Sequence, residues 1–448
     1  MPEPSPPLAR LLEHTADVVQ SVRGGRSLAE LLPALPPALR PGVQALAFDV
    51  LRHLGGALEV RSRLAARTPP PAVDALLVSA LALLWPSTRP APYADHTLVD
   101  QAVAAARARA PAAAGFVNAV LRRFVRERAA LVAAADHAPA AAYHHPLWWI
   151  ERVRHDWPRH WQALLRAANE RPPMTLRVNR RRRGAQDYVA HLAALGIAAE
   201  ALPDAALLGQ AVVLAEPRPV QRLPGFAEGE VSVQDASAQR AAPLLLGLES
   251  AADRPLLAPG ARVLDACAAP GGKTAHLLEL AELDLWALDV DAQRLARVRD
   301  NLQRLQLRAT LKVGDARRPA GWWDGRAFDA ILLDAPCTAS GIVRRHPDVR
   351  WLRRADDLHR LAGEQAQLLD ALWPLLAAGG RLLYATCSIF RDEGERASDA
   401  FLQRLAPGAA RIDPRSPGHV LPLADNAQQT ARAGPAPDGF YYALIEKT

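Results

Sequence analysis

Apolar residues recur at helical spacing through the N-terminal part of the chain. Through residues 43–64 and again through residues 116–131 they return every third or fourth position, with polar residues between them. Prolines punctuate this pattern at Pro33, Pro36 and Pro41. The pattern predicts an all-helical region over residues 8–135.

The pattern changes after residue 259, where short apolar runs alternate with amphipathic stretches. The apolar runs predict strands at residues 262–267, 284–290, 310–313, 328–333 and 380–386. Helical periodicity predicts helices at residues 273–280, 293–305, 358–376 and 393–405. Strands that alternate with helices over short connections indicate an α/β fold with a doubly wound parallel sheet. A last apolar run at residues 439–446 predicts an extra edge strand.

The middle of the chain has a third character. Residues 138–146 predict a linker, and residues 147–170 predict a tryptophan-rich helical stretch. Short strands are predicted at residues 175–179, 197–201 and 211–214, with a helix near residues 187–195. This combination indicates a small α+β module. We therefore predict domains at residues 1–140, 141–240 and 241–448.

The charge balance is basic, with a formal net charge of +7 at pH 7 over 448 residues. A basic chain favours a polyanionic partner such as nucleic acid, although a mildly basic protein can also have no such partner. The three cysteines are too few for a disulfide framework, and no cysteine or histidine cluster has metal-ligand spacing. The N-terminus lacks the apolar core of a signal peptide, and the longest apolar stretch, residues 75–86, is too short to span a bilayer. We therefore expect a cytoplasmic protein without a metal ion or a membrane partner.

Arginines cluster at positions where an RNA phosphate could be bound. The candidates are Arg122 and Arg123 on a predicted helix, Arg180 and Arg181 in a run of arginines, and Arg344, Arg345 and Arg350 after a predicted strand. A solvated or self-paired surface is the competing interpretation for each cluster.

Two cysteines follow predicted strands directly. Cys337 ends the segment ILLDAPC, and Cys387 follows the apolar run in RLLYATCS. Ligands bind at the carboxyl edge of the strands in open α/β sheets, so both thiols are expected at that edge. Each cysteine alone can be a small buried apolar residue, but their joint placement favours chemistry.

A ligand pocket is indicated by the segment VLDACAAPGGKT. Gly271 and Gly272 allow close approach of the backbone, and the following helix offers free N–H groups to an anion. The spacing is neither that of a P-loop nor that of a dinucleotide fingerprint. Strands that end in Asp265, Asp289 and Asp315 favour an adenosine-type ligand, because a strand-end acid can accept the ribose hydroxyls. A ligand that carries a carboxylate in place of a pyrophosphate suits the single short glycine turn, and S-adenosylmethionine has that shape.

Asp334 and the two thiols together fit one reaction. Carbon 5 of cytosine is too weak a nucleophile to take a methyl group unaided, but a thiolate that adds to carbon 6 activates it. A base must then remove the carbon-5 proton so that the thiol can leave. The Asp334 carboxyl group can bind the ring nitrogen and amino group of the cytosine.

These motifs resemble those of the RNA cytosine-5 methyltransferases of the Nol/Nop/Sun superfamily. Over residues 259–448 the resemblance rests on LDACAAPGGKT, ALDVD, GDA, LLDAPC with SGIVRRHPDVRW, and YATCS. Upstream, RPPMTLRVN and VSVQDASAQ resemble the small module that precedes the catalytic domain in that superfamily. The helical N-terminus with GFVNAVLRRF resembles the NusB-like domain of the bacterial RsmB (Sun/Fmu) branch, which methylates cytosine in 16S ribosomal RNA. One departure is RDEGE at residues 391–395, where the family often has an acidic pair followed by Asn.

The resemblance implies a Rossmann-like methyltransferase domain preceded by an all-α NusB-like domain and a small α+β module. It implies that Cys387 is the nucleophile, that Cys337 assists release of the product, and that Asp334 holds the cytosine edge. The residues that it implies for S-adenosylmethionine are Cys267, Ala268, Ala269, Pro270, Gly271, Gly272, Lys273, Asp289, Asp315 and Asp334.

The partner implied by the resemblance is 16S rRNA or a small-subunit assembly intermediate, and we expect a monomer. Two alternatives stay open from the sequence: methylation of another RNA such as tRNA, and a non-catalytic RNA-binding factor of the antitermination type.

Overall fold

The computed structural model describes residues 6–86, 93–203, 205–249, 253–423 and 436–448. The chain forms two compact units. The first contains Met1–Arg171 and Val343–Ala355, and the second contains Pro172–Ile342 and Asp356–Thr448. The stretch predicted as linker helices therefore falls in the first unit, and the small α+β module shares the second unit with the large sheet.

The first unit is built from helices in its described part, as the helical periodicity predicts. They are α1 (Leu8–Arg23), α2 (Leu28–Leu31), α3 (Arg40–Leu64), α4 (Pro71–Leu83), α5 (Asp95–Arg109), α6 (Ala114–Ala135), α7 (Pro139–Ala142), α8 (Leu147–Asp156) and α9 (Trp161–Ala167), with 3₁₀ turns at Leu32–Ala34 and Pro111–Ala113. Their apolar faces bury Leu12, Leu51 and Leu77 in one core. Within the predicted linker the chain forms α7.

The small module opens the second unit with an antiparallel sheet. Its elements are β1 (Met174–Val178), α10 (Ala185–Ala194), β2 (Ala199–Ala201), β3 (Ala211–Leu214), β4 (Val231–Val233), α11 (Ala236–Gln239) and α12 (Ala241–Leu246), with 3₁₀ turns at Ala205–Leu207 and Val220–Arg222. The strand order is β2-β3-β1-β4. Leu176, Tyr188 and Val212 are buried between the sheet and α10. The predicted α+β module is confirmed, although β4 has no prediction because it is only three residues long.

The rest of the second unit is a larger sheet flanked by helices. Its elements are β5 (Ala261–Ala266), α13 (Gly272–Leu280), β6 (Leu283–Asp289), α14 (Ala292–Leu305), β7 (Thr310–Val313), β8 (Phe328–Asp334), α16 (Ala355–Leu372), β9 (Leu376–Thr386), α17 (Glu395–Arg404), β10 (Ala410–Ile412), β11 (Gly418–Val420) and β12 (Phe440–Lys447). The helix between β8 and α16, α15 (Val349–Leu352), belongs to the first unit. 3₁₀ turns occur at Pro319–Gly321, Ser340–Ile342, Trp373–Leu375 and Arg391–Glu393.

The strand order confirms the doubly wound sheet and corrects the predicted position of the last strand. The order is β10-β12-β9-β8-β5-β6-β7, with β11 also pairing with β12, and the strands from β9 to β7 are parallel. The prediction that residues 439–446 form an edge strand is wrong, because β12 lies between β9 and β10. The short β10 gives no clear apolar signal, so the sequence does not reveal that it covers β12.

Both faces of the large sheet are buried, which is why its strands are continuous apolar runs. Successive residues point to opposite faces, so Val263 packs beside Leu277 and Val298 on the face of α13 and α14. Its neighbour Leu264 belongs to the core on the other face, with Leu369 of α16. The sheet is therefore held rigidly between two helical layers, and its carboxyl edge is a stable platform.

The chain returns to the first unit at Val343–Ala355, directly after the 3₁₀ turn Ser340–Ile342. Arg350 is fully buried there and donates to the carbonyl oxygens of His144, at 3.2 Å, and Ala168, at 2.6 Å. Asp348 accepts a hydrogen bond from the backbone N–H of Leu28 at 2.9 Å. The segment is therefore an integral part of the first unit.

Within the described residues, no helix is both long and apolar enough to cross a membrane. In the same residues, no group of three or more His, Cys, Asp or Glu side chains is arranged to hold a metal ion.

Candidate active site

A cavity of about 390 Å³ lies at the carboxyl edge of the large sheet. The strand order reverses between β5 and β8, and such a switch point opens a crevice for ligands. The cavity is lined by seven of the residues predicted from the sequence: Cys267, Ala269, Asp289, Asp315, Asp334, Cys337 and Cys387. One cavity thus brings together the predicted donor site and both thiols.

The loop from β5 to α13 forms the floor of this region. Gly271 has a φ of +94°, and a Cβ atom there would lie 3.0 Å from the Val298 side chain, so glycine is required for both conformation and space. Cys267 also has a positive φ, +65°. Burial is the main cause that raises the pKa of the Cys267 thiol, so this cysteine stays protonated. The remaining predicted loop residues shape the turn without lining the cavity: Ala268, Pro270, Gly271, Gly272 and Lys273.

Two of the acids that end strands also line the cavity. Asp289 is buried and accepts backbone hydrogen bonds from Ala269 at 3.1 Å and Asp291 at 3.0 Å, which fixes its carboxylate. Asp315 binds the Arg317 guanidinium with both oxygens, at 2.9 and 3.0 Å. The hydrogen bond from Arg317 is the main cause that lowers the pKa of Asp315. Any ligand that reaches Asp315 therefore shares it with Arg317.

Asp265 differs from the other two strand-end acids. It is buried, accepts a hydrogen bond from Thr274 Oγ1 at 2.5 Å, and does not appear among the described residues that line the cavity. Its Oδ1 is buried without a partner in the described residues. Burial raises its pKa to about 7. Asp265 therefore stabilises the loop through Thr274, whereas Asp289 and Asp315 face the cavity.

Lys273 and Asp334 form an ion pair beside the thiols. Lys273 Nζ donates to Asp334 Oδ2 at 2.6 Å. Burial by itself lowers the pKa of Lys273, but the charge and hydrogen bond of Asp334 and the charge of Cys387 outweigh burial and raise it. Lys273 is therefore a cation that ties the loop between β5 and α13 to the end of β8. The sequence indicates Lys273 only as part of the loop and does not reveal this pairing.

The two thiols are in direct contact. The Sγ atoms of Cys337 and Cys387 lie 3.4 Å apart, and neither cysteine is in a disulfide. Cys337 is buried and Cys387 is partly exposed. The hydrogen bond with Cys387, followed by burial and by the charges of Cys387 and Glu393, raises the pKa of Cys337 well above its ordinary value. Cys337 is therefore held as a neutral thiol that can donate a hydrogen bond to Cys387.

The structure adds residues that sequence patterns do not reveal. Val290, Arg294, Glu364 and Leu368 also line the cavity. Val290 directly follows Asp289 and is 65% exposed, which leaves an apolar surface at the cavity. In the sequence, the only signal that Val290 lines the cavity is its position directly after Asp289, the acid that ends β6.

The predicted RNA-contacting arginines fall into two groups. Arg122 and Arg123 on α6, and Arg180 and Arg181 after β1, are exposed, and Arg345 is half-buried. Their contact with RNA stays a prediction. Arg344 and Arg350 do not fit it, because both side chains are buried within the first unit. The run of charges predicts an exposed segment, but α15 and its flanks pack into a helical core.

Known families match all three parts of the chain. Residues 256–446 match the family described as 16S rRNA methyltransferase RsmB/F, residues 145–221 match the RsmF/B-like ferredoxin-like domain, and residues 13–126 match the NusB family. The chain is 47% identical over 378 residues to a ribosomal RNA small subunit methyltransferase B of Pseudomonas putida, covering 84% of this chain and 82% of that one.

A second relative matches almost the whole length. The chain is 41% identical over 442 residues to a ribosomal RNA small subunit methyltransferase B of Salmonella agona, covering 96% of each. Among solved structures, the crystal structure of PH0851 has a TM-score of 0.72 and 25% identity, covering 97% of this chain and 99% of that one.

Proposed function

Because the chain belongs to the 16S rRNA methyltransferase RsmB/F family, we propose that it methylates carbon 5 of a cytosine in 16S ribosomal RNA through a covalent bond to Cys387. The observation that carries this proposal is the contact of the two thiols, with Sγ atoms 3.4 Å apart, on the wall of the cavity that also holds Asp289 and Asp334. A non-catalytic protein that only binds RNA needs no such pair of thiols.

The residues present fit S-adenosylmethionine as the methyl donor. The cavity volume of about 390 Å³ suits a ligand of that size. The fixed Asp289 carboxylate can accept the ribose hydroxyls, Val290 offers an apolar surface to the adenine, and the N-terminus of α13 faces the loop. When bound, S-adenosylmethionine supplies an electrophilic methyl group and leaves as S-adenosylhomocysteine.

Cys387 is the group that attacks. Its thiolate adds to carbon 6 of the cytosine, and the electron pair of the double bond between carbons 5 and 6 becomes available at carbon 5 for methylation. Cys387 is the more exposed of the two thiols, and Cys337, whose pKa is raised, can donate a hydrogen bond to it as a neutral thiol. The Lys273 ammonium is a nearby electrostatic partner of Cys387.

Asp334 holds the cytosine before this attack, and Cys337 acts in the release of the product after methylation. Among the described residues, Asp334 Oδ1 has no hydrogen-bond partner, so it can accept from the cytosine amino group while Oδ2 is held by Lys273. After methylation the carbon-5 proton passes to Cys337, and the electron pair of that C–H bond re-forms the double bond as the Cys387 thiolate is expelled. Cys337 can take this proton as a thiolate, because the charge of Cys387 no longer opposes its ionisation once Cys387 is bonded to carbon 6.

The target base must leave its stack to reach both thiols, so an unpaired segment of rRNA or of a small-subunit assembly intermediate is the proposed substrate. The proposed site of action is accordingly the cytoplasm, where ribosomal subunits are assembled.

The test uses two matched substitutions in the full chain. Cys387→Ala should abolish methyl transfer and form no covalent RNA complex, because carbon 6 has no nucleophile. Cys337→Ala should accumulate an RNA–protein complex stable to a denaturing gel, because addition proceeds and release fails. Both variants should still bind S-adenosylmethionine.

Bisulfite mapping then identifies the product. Wild-type protein should protect one cytosine of 16S rRNA, and Cys387→Ala should protect none. Normal turnover by Cys387→Ala would refute the covalent mechanism. A protected cytosine in tRNA, with none in 16S rRNA, would refute the substrate.

A further inference from the structure

A buried carboxylate contacts the two loops that carry Cys337 and Cys387. Glu393, the last residue of the 3₁₀ turn Arg391–Glu393, has no exposed surface. It is not among the described residues that line the cavity, so it is in no position to touch a ligand there. Burying a carboxylate costs several kcal/mol unless hydrogen bonds replace its water. The residues that supply those bonds indicate what Glu393 does.

The shortest bonds to the Glu393 carboxylate come from the residues that directly follow the two cysteines, and Gln365 Nε2 adds a longer one at 3.4 Å. The backbone N–H of Thr338 donates to Oε1 at 2.7 Å, and the Thr338 hydroxyl donates to Oε2. The Ser388 hydroxyl donates to Oε2 at 2.6 Å. Thr338 follows Cys337 and Ser388 follows Cys387, so one side chain joins both loops at the position next to the thiol.

Other contacts fix this arrangement. The Thr386 hydroxyl donates to the Glu393 carbonyl oxygen at 3.0 Å, which anchors the turn to the end of β9. The backbone N–H of Gly341 donates to the Cys387 carbonyl oxygen at 2.9 Å. The Ser340 hydroxyl also joins the two loops, because it contacts the Ser388 hydroxyl at 2.8 Å and accepts from the Ile389 backbone N–H at 2.9 Å. The Glu393 carboxylate is the charged centre of these contacts, and it bonds to both residues that follow the cysteines.

We propose that Glu393 is a positioning residue that clamps the Cys337 and Cys387 loops together and sets the separation of the two thiols. The expected loss of kcat rests on the proposed function, whereas the effect of Glu393 on the approach of the two thiols can be measured without RNA. A misplacement of about 1 Å in a reacting group can lower a rate by about 100-fold, so a loosened clamp should be costly. The Glu393 charge also contributes, after the Cys387 hydrogen bond and burial, to the raised pKa of Cys337.

Three substitutions separate the clamp from the charge and from general damage. Glu393→Ala removes the clamp. Glu393→Gln keeps it, because the amide oxygen can accept from the Thr338 N–H and the amide N–H groups can donate to the two hydroxyls. Glu395→Ala is the matched control, since Glu395 lies two positions along and is 39% exposed in an ion pair with Arg391.

The kinetic readout compares kcat, KM for RNA and S-adenosylmethionine affinity. Glu393→Ala should lower kcat by about 100-fold with donor affinity unchanged. Glu393→Gln should stay within about tenfold of wild type, and Glu395→Ala should match wild type. Wild-type kcat in Glu393→Ala overturns the proposal, and so does a Glu393→Gln variant that is as slow as Glu393→Ala while it binds the donor normally. If Glu393→Ala fails to bind the donor, Thr338→Val decides: it removes one hydroxyl from the clamp, and an unchanged kcat overturns the proposal.

A second readout is independent of methyl transfer. Diamide oxidises a thiol pair to a disulfide and takes up the two thiol hydrogens as it is reduced to a hydrazine. Wild-type protein should form the Cys337–Cys387 disulfide rapidly, because the Sγ atoms are already 3.4 Å apart. Glu393→Ala should form it at least about tenfold more slowly, and peptide mass spectrometry identifies the pair. Equal rates of disulfide formation in wild type and Glu393→Ala overturn the clamp. Slower formation in Glu393→Ala supports it, and both conclusions hold even if the protein methylates a different target.

Discussion

A buried ion pair in the second unit joins the small module to α13, the helix that follows the loop after β5. Arg177 of β1 binds Glu279 of α13 through two bonds, Nε to Oε2 at 3.0 Å and Nη2 to Oε1 at 2.8 Å. Its Nη1 also donates to the Gly272 carbonyl oxygen, at 2.9 Å, where α13 begins. The side chains of Arg177 and Glu279 are 0% and 1% exposed. Arg177→Met should therefore destabilise the second unit strongly.

The size of the effect follows from the burial. Arg177→Met leaves the Glu279 charge buried without its cation, and breaking such a pair costs about 3–5 kcal/mol. The exposed pair of Arg404 and Asp370, with side chains 39% and 52% exposed, provides the matched control. Arg404→Met should cost about 0.2–1 kcal/mol, because solvent already screens that pair. At roughly 2–4 °C per kcal/mol, Arg177→Met should lower the Tm by about 10 °C and Arg404→Met by a few degrees at most.

Calorimetry of the full chain measures the Tm, and amide hydrogen exchange over Gly272–Leu280 locates the change. The double variant Arg177→Met with Glu279→Met should recover most of the loss, because an apolar pair removes the stranded charge. It should remain about 1–2 kcal/mol below wild type, since the Gly272 carbonyl oxygen still lacks its donor. A Tm of Arg177→Met that is no lower than that of Arg404→Met would refute a strong contribution from the buried ion pair. A double variant with a Tm as low as that of Arg177→Met would refute the stranded charge as the cause.

Two further predictions concern the strand-end acids. Because the pKa of Asp265 is raised from 3.8 to about 7, mainly by burial, the folded protein keeps a proton that the unfolded chain loses; this contribution to stability is present below about pH 4 and is lost as the pH rises through about 7. Asp265→Asn should therefore show a shallower decline of the unfolding free energy over that range in urea titrations, and an unchanged slope would count against the buried proton. Asp289→Ala should weaken S-adenosylmethionine binding by about 1–3 kcal/mol in calorimetric titration, whereas Asp300→Ala, on the exposed side of α14, should not change it. Equal affinities of these two variants would remove Asp289 from the ribose site.

The sequence by itself determined the order of elements and the edge at which chemistry is placed. Apolar runs buried on both faces define β5, β6, β8 and β9, because a parallel sheet between two helical layers needs continuous apolar strands. The carboxyl ends of parallel strands meet at one edge, so Asp334 and Cys387 had to lie at the same edge once both strands were recognised. The short strands β4, β10 and β11 escaped prediction, since three residues carry little periodicity and their stability comes from distant partners.

Only the tertiary structure decided which groups touch. The 3.4 Å contact of the thiols, the pairing of Lys273 with Asp334, and the burial of Glu393 join residues from separate loops, and no local pattern encodes such distances. The same limit explains why the sequence did not predict the burial of Arg344 and Arg350. Their charge predicts exposure, but backbone carbonyl oxygens from His144 and Ala168 bind Arg350 inside a helical core. A charged side chain is buried or exposed according to the partners that the fold brings to it, and those partners are distant in sequence.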